Sequence, residues 1–358
     1  MLRYITLAVA LLLGFLALSS APHIVESPTS VQESSVPEPI TTEDETRIED
    51  APASNTASEE ILPQDEPEPE QKAVAPPPPA PIELARAKAQ SSVVNILCEP
   101  KKNGTMAVSG TGVVIDPRGV ILTNAHVAQY VLLSAREEVN LACTIRSGSP
   151  ATNSWGVDLL YIPPEWVAEH AEDIVKTSPT GTGEHDYALL IAKDGVKPLG
   201  SPTFTPIETT ITPNIVGTTV ILAAYPAEFS GFAATQQFLL SSSILTPVRT
   251  VLTFDADTVD VLSFGAVALA QGGSSGGAVV NENGRLIAII STTSNREFIA
   301  ERDLRGVTVS YINRALSESY GTSLTGLLSG DVVTQGEYFR NNLAPALSQT
   351  IVDYLLRR

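Results

Sequence analysis

Gln271 to Val279 reads QGGSSGGAV, four glycines and two serines with no bulky side chain before Val279. An apolar run, Ala266 to Ala270, leads in and is expected to be β-like; Ala278 to Asn281 leads out the same way. Glycine tolerates unusual φ/ψ and close backbone approach, so such a loop lets N–H groups crowd around one point. A hydroxyl held there is a nucleophile, and the N–H groups stabilise the oxyanion it creates. Ordinary turn chemistry is the alternative for this stretch alone.

Two serines compete. Gly-x-Ser-Gly-Gly fits with Ser275 at its centre, whereas Ser274 lacks glycine spacing on both sides. The same letters satisfy Gly-x-Ser-x-Gly, the nucleophile elbow of another enzyme class whose histidine follows the serine. This chain has His23, His126, His170 and His185, all upstream of Ser275. Chain order therefore removes the elbow reading.

The 358 residues leave room for one large domain with appendages. The formal charge of −18 is uneven: residues 22–81 carry 14 acidic and 2 basic residues, and 82–358 carry a net −7. A mildly acidic domain argues against nucleic acid as a partner. Arg3, the apolar run Ile5 to Leu18 and the small residues Ser19 to Ala21 have the layout of a secretory signal peptide, cleaved or kept as a membrane anchor over 1–21. Residues 22–81 hold 13 of the 26 prolines and no aromatic residue, and are expected to be a disordered, extended linker.

Beyond it, ELARAKAQ predicts a short helix over Ile82 to Gln90. Strands are predicted at Ser92–Cys98, Thr105–Ser109, Thr111–Asp116, Val120–Thr123, Val139–Ile145, Tyr187–Ala192, Thr218–Ala224, Phe238–Leu245, Val259–Ser263 and Arg285–Ser291. Short apolar strands between Gly, Pro and Asn turns point to an all-β barrel or sandwich. His126, in TNAHVA, falls in the first turn after a strand. Asp186, in EHDYALLI, falls at the entry of the next. Taken singly, each is equally a structural residue.

Together, SGTGVVIDPRGVILTNAHVA (Ser109–Ala128), HDYALL and GGSSGGAVVNENGRLIAI resemble the trypsin-like serine peptidases of chymotrypsin fold, and among them the bacterial HtrA/Deg-type proteases. VGTTVILAAYPAEF, Val216 to Phe229, adds to the likeness. The resemblance covers about Ser92 to Tyr311. It implies two six-stranded antiparallel β-barrels; the protease domain is expected over 82–325, followed by a C-terminal helical extension over 326–358. It implies His126 as general base, Asp186 as its orienting partner, Ser275 as nucleophile, and the N–H groups of Gly273 and Ser275 as the oxyanion hole. By position it assigns Leu269 to the base of the specificity pocket, with Ser291 and Thr293 on a wall. That pocket lacks a carboxylate for Lys or Arg, so cleavage is expected after small or medium aliphatic residues in unfolded proteins.

The sequence departs from the family pattern in places. Ser147–Gly183 is expected to be a surface insertion near the site. Ser274 replaces the aspartate that often precedes the nucleophile. About 47 residues follow Tyr311, too few for a PDZ domain; they predict a helix at Ile312–Tyr320, a Gly/Ser-rich link and a helix at Asn341–Leu356. Cys98 and Cys143 either form a disulfide or stay separate thiols; the family's usual bridge starts just after the histidine, here Val127. His170 is expected to be solvated, and His185 to point away from Asp186. No cofactor is expected, since no HExxH or clustered ligand spacing appears. Protein or peptide substrates are the expected partners, and the bacterial periplasm or cell surface the expected location. The competing reading is a protease fold with a degraded site, serving as a binding module or adhesin.

Overall fold

The computed structural model describes residues 81–102, 107–176, 181–193, 203–254, 257–291 and 298–357. The expected signal or anchor segment, and the linker as far as residue 80, lie outside them. Pro81, the last linker residue, instead opens the first helix, where a proline's missing N–H costs nothing. Among the described residues no helix is long and apolar enough to cross a membrane.

Helix α1 (Pro81–Ser92) leads into β1 (Val93–Glu99), β2 (Val108–Asp116) and β3 (Val120–Thr123). Then come α2 (Ala125–Ser134), β4 (Ala142–Ser147), β5 (Asn153–Tyr161), α3 (Pro164–His170) and β6 (Ala188–Ala192). The six strands close into an antiparallel barrel in the order β1-β2-β3-β6-β5-β4. All four residues of β3 are buried. A strand whose two faces are both covered reads as a continuous apolar run, and VILT is one.

The second half holds β7 (Thr219–Ala224), α4 (Phe232–Gln237), β8 (Ser242–Pro247), β9 (Thr250–Leu252), β10 (Val261–Gly265), β11 (Ala278–Val280), β12 (Leu286–Ile290) and β13 (Leu304–Thr308). They form an antiparallel sheet in the order β8-β7-β11-β12-β13-β10-β9. The chymotrypsin-like double-barrel plan is present. Among the described residues the second sheet has seven short strands rather than six, and its edge strands β8 and β9 do not pair.

Four helices follow: α5 (Val309–Tyr320), α6 (Leu324–Ser329), α7 (Val332–Asn342) and α8 (Ala344–Leu356). The expected Gly/Ser-rich link is thus itself helical. Gly321, at φ 76°, ends α5; Ser323 and Asp331 cap α6 and α7 by accepting N–H groups of their first turns. Phe339 and Val332 of α7 and Ile351 of α8 join the core of the first barrel.

Ser147–Gly183 is not a surface insertion. Its middle is barrel strand: β5 hydrogen-bonds β4 and β6 and supplies buried Leu159, Leu160 and Tyr161. Its outer side is covered by α7, with the Tyr161 and Phe339 ring centroids 5.3 Å apart and Arg340 donating to the Leu159 carbonyl at 3.0 Å. Trp166 of α3 is buried as well. Ala266–Ala270 is not a strand either. Its N–H groups close successive turns, Ala270 to Val267 and Gln271 to Leu269. Cys98 and Cys143 sit directly opposite on β1 and β4 and are joined by a disulfide.

Candidate active site

Strands β3 and β6 pair with Thr123 opposite Ala188. The residues just after β3 and just before β6 are therefore neighbours. His126 is the second residue of α2, and Asp186 lies in the turn into β6. Asn124, the residue before α2, donates its side-chain amide to the Asp186 carbonyl at 3.0 Å and ties the two segments together. The Asp186 carboxylate accepts the His126 backbone N–H at 3.0 Å and faces ring Nδ1 at 2.9 Å through Oδ2. Beside a carboxylate, Nδ1 carries the proton and donates it, which leaves Nε2 with its lone pair.

Electrostatics follow from this contact. Burial works against charging His126, but the Asp186 charge and hydrogen bond outweigh it and raise the imidazole above its ordinary pKa. Burial likewise works against an ionised Asp186. The His126 charge and the hydrogen bonds from His126 and Ser291 overcome that penalty and hold the carboxyl below the usual range. The Asp186 side chain is 7 % exposed and the His126 side chain 38 %, so the carboxylate is shielded while the ring is part-exposed.

The loop from Gln271 to Gly277 is bound to both halves of the molecule. Thr111 of β2 donates its N–H to the Ser275 carbonyl at 2.8 Å and its hydroxyl to the Gly273 carbonyl at 2.7 Å. The Thr111 hydroxyl also accepts the Tyr225 N–H at 3.0 Å. Gly276, at φ 83°, lies so close to β2 that a Cβ there would stand 1.9 Å from the Thr111 carbonyl oxygen. Only glycine fits. Gly273, at φ 90°, is confined in the same way by Tyr225 and Ala227. Among the described residues the N–H groups of Gly273 and Ser275 make no hydrogen bond.

Exposure separates the two serines. Ser274 is buried, its hydroxyl without a partner among the described residues, whereas Ser275 is half-buried. The Ser275 hydroxyl donates to the Ser291 carbonyl at 3.4 Å, and the Ser291 hydroxyl donates to Asp186 Oδ2 at 2.7 Å. Ser291 thus bridges the serine and the carboxylate–imidazole pair. No hydrogen bond joins the His126 ring to Ser275 among the described residues; such contacts often tighten only when substrate binds.

The other candidates fall as follows. Ser291, expected on a pocket wall, turns its hydroxyl to Asp186 rather than outward. Leu269 is buried in the core of the second sheet. Thr293 lies outside the described residues. His170 is not freely solvated: it faces Asp173 Oδ2 at 2.7 Å and stacks on Trp166. His185 is in a turn at φ 54°, not in a strand, with its ring 3.4 Å from the Tyr311 hydroxyl. Thr111 and Asn124 went unnoticed in the sequence. Among the described residues no cluster of three or more His, Cys, Asp or Glu could hold a metal ion.

The model of the trypsin-like peptidase domain matches residues 110–289, half of the chain, and spans His126, Asp186 and Ser275. The chain belongs to the trypsin-like peptidase family. No curated protein matches it. Solved structures similar to it include an inactive mutant form of Rv3671c from M. tuberculosis H37Rv, at 19% identity over 70% of this chain and 97% of that one, with a TM-score of 0.41. The serine endoprotease from Yersinia pestis is 18% identical over 67% of this chain and 66% of its own, with a TM-score of 0.42. Deg5 is 15% identical over 68% and 96%, with a TM-score of 0.44. The domain's trypsin-like peptidase class makes proteins or peptides its substrates.

Proposed function

We infer that this trypsin-like peptidase is a serine endopeptidase of HtrA/Deg type, with His126, Asp186 and Ser275 as its triad. The reading rests chiefly on the Asp186–His126 pair, a shielded carboxylate on Nδ1 of a part-exposed ring. Ser275 attacks the peptide carbonyl carbon while His126 Nε2 takes the hydroxyl proton. The carbonyl oxygen becomes an oxyanion, held by the free N–H groups of Gly273 and Ser275. His126 then protonates the leaving amine, and the C–N bond breaks to give an acyl-enzyme. Water adds by the same steps in reverse and releases the acid. Asp186 fixes the ring's tautomer and stabilises its charged form.

The apolar surroundings of Leu269 and the lack of a carboxylate nearby in sequence favour small or medium aliphatic residues before the cleaved bond. Export to the periplasm or cell surface is supported by the hydrophobic segment near Met1 and by the Cys98–Cys143 disulfide, since disulfides persist in oxidising compartments. The same segment is the proposed route to a membrane, if it is kept as an anchor.

Kinetics of Ser275→Ala test the chemistry. Loss of a triad nucleophile costs on the order of 10⁶ in kcat, and retention of more than about a hundredth of the activity would remove Ser275 from the mechanism. A digest of an unbiased peptide library tests specificity. Dominant cleavage after Lys, Arg or Glu would overturn the aliphatic preference.

A further inference from the structure

An ion pair that the triad does not use holds the loop carrying Gly273. Glu228 lies in the turn after β7, and Arg302 lies just before β13. They meet through two parallel contacts, Oε2 to Nη1 at 2.6 Å and Oε1 to Nη2 at 2.8 Å. Both side chains are largely buried, 23 % and 12 % exposed. The planar guanidinium fork fits a carboxylate in only a few orientations, so such a pair fixes geometry as well as charge.

The pair also binds backbone on either side of Gln271. Arg302 Nη1 donates to the Ala270 carbonyl at 2.9 Å, and the Gly272 N–H donates to Glu228 Oε2 at 2.8 Å. The Gly272 carbonyl accepts the N–H groups of Ala227 at 2.8 Å and of Glu228 itself at 3.1 Å. Glu228 therefore grips both polar groups of Gly272.

The consequence falls on the next residue. A trans peptide is planar, with its C=O and N–H pointing in opposite directions. With the Gly272 carbonyl turned toward Ala227 and Glu228, the Gly273 N–H is turned the other way and is unspent among the described residues. Two consecutive glycines resist rotation of the peptide between them very little. Its orientation must come from outside contacts: the backbone N–H groups of Ala227 and Glu228 hold its carbonyl, and the Glu228 carboxylate holds the adjoining Gln271–Gly272 peptide through the Gly272 N–H.

We propose that Glu228 and Arg302 are a positioning pair for peptide hydrolysis, anchoring the backbone on both sides of Gln271 so that the following Gly272–Gly273 peptide keeps its N–H toward the oxyanion before substrate arrives. Neither side chain touches the reacting atoms. Without the pair this stretch loosens, and one of the two oxyanion donors loses alignment while the rest of the site persists. The proposal rests on the reading of Ser275 and Gly273 given above.

Steady-state kinetics of the full chain on a peptide substrate test it, using Glu228→Gln, Arg302→Met, their double mutant and the conservative Arg302→Lys. Loss of one oxyanion donor lowers kcat by about 10²–10³, and a partial loss of its alignment by about 10–100. Each of the first two variants is expected to lower kcat by that lesser factor, with KM within about threefold of wild type. Binding of a peptide aldehyde, whose adduct places an oxygen in the hole, should weaken by the same factor. The double mutant should be no worse than the poorer single, because the residues act as one unit. Arg302→Lys should recover part of kcat. Wild-type kcat in folded variants, or a loss confined to KM, would overturn the proposal. Glu228→Gln is isosteric and keeps the test available if Arg302→Met does not fold. A wild type that neither hydrolyses peptide nor labels at Ser275 would instead refute the underlying serine mechanism.

Discussion

The Ser291 hydroxyl lies 2.7 Å from Asp186 Oδ2, and the Ser291 carbonyl accepts the Ser275 hydroxyl. One residue just after β12 thus contacts both the carboxylate paired with His126 and the candidate nucleophile Ser275. Removing its hydroxyl leaves a buried carboxylate with one hydrogen bond fewer. Bonds to charged groups contribute about 1.5–3 kcal/mol, so Ser291→Ala is expected to destabilise the fold by about that amount and to slow hydrolysis only modestly. Urea unfolding beside kinetics checks both. A stability unchanged within about 0.5 kcal/mol would show that the bond carries no weight.

The pH profile has a defined sign. His126 is held above the ordinary imidazole value of about 6.5. In the proposed mechanism it must be neutral to accept the Ser275 proton, so the acid limb of kcat/KM should have its midpoint above about 6.5. In stability the same group acts oppositely. Its charged-state contribution is complete below the unfolded pKa and is lost as pH rises through the folded one. Asp186, held low, contributes above its unfolded pKa and loses this as pH falls through the folded one. Asp186→Asn should move the acid limb down and cut kcat by about 10⁴. An acid limb at or below 6.5 in the wild type would contradict the pairing.

The disulfide is a separate matter from catalysis. It closes a loop with a sequence separation of 45 and joins β1 to β4, away from the Ser275 loop. In the chain-entropy model such a closure is worth up to roughly 4 kcal/mol. The double change Cys98→Ser and Cys143→Ser should lower the thermal midpoint and leave kcat/KM near wild type at a temperature where the protein stays folded. Two free thiols in the mass of the unreduced wild type would rule the bond out.

The site was legible where its signal is local. TNAHVA, HDYALL and GGSSGG each sit within a few residues, and the position of every histidine before Ser275 fixed the chain order. Fully buried strands such as Val120–Thr123 were legible for the same reason. Long-range partners left no such trace. Thr111 clasps Gly273 across 162 positions, and Glu228 meets Arg302 across 74. Asn153–Tyr161 went unread as a strand because its first half is half-exposed and its place is set by pairing with Ala188–Ala192. Ala266–Ala270 misled in the opposite sense. Leu269 and Ala270 are apolar because they are buried in the second core, while their backbone turns. His185 defeated the alternation rule because its φ is positive and no strand begins until Ala188.

Hydrolysis by the proposed mechanism requires an activated hydroxyl on Ser275. Intact-mass analysis after treatment with a serine-directed fluorophosphonate measures this most directly. One adduct per folded chain is expected, mapped to Ser275, absent from Ser275→Ala and retained in Ser274→Ala. A folded wild type that takes up no adduct, or an adduct that survives in Ser275→Ala, would remove Ser275 as the nucleophile.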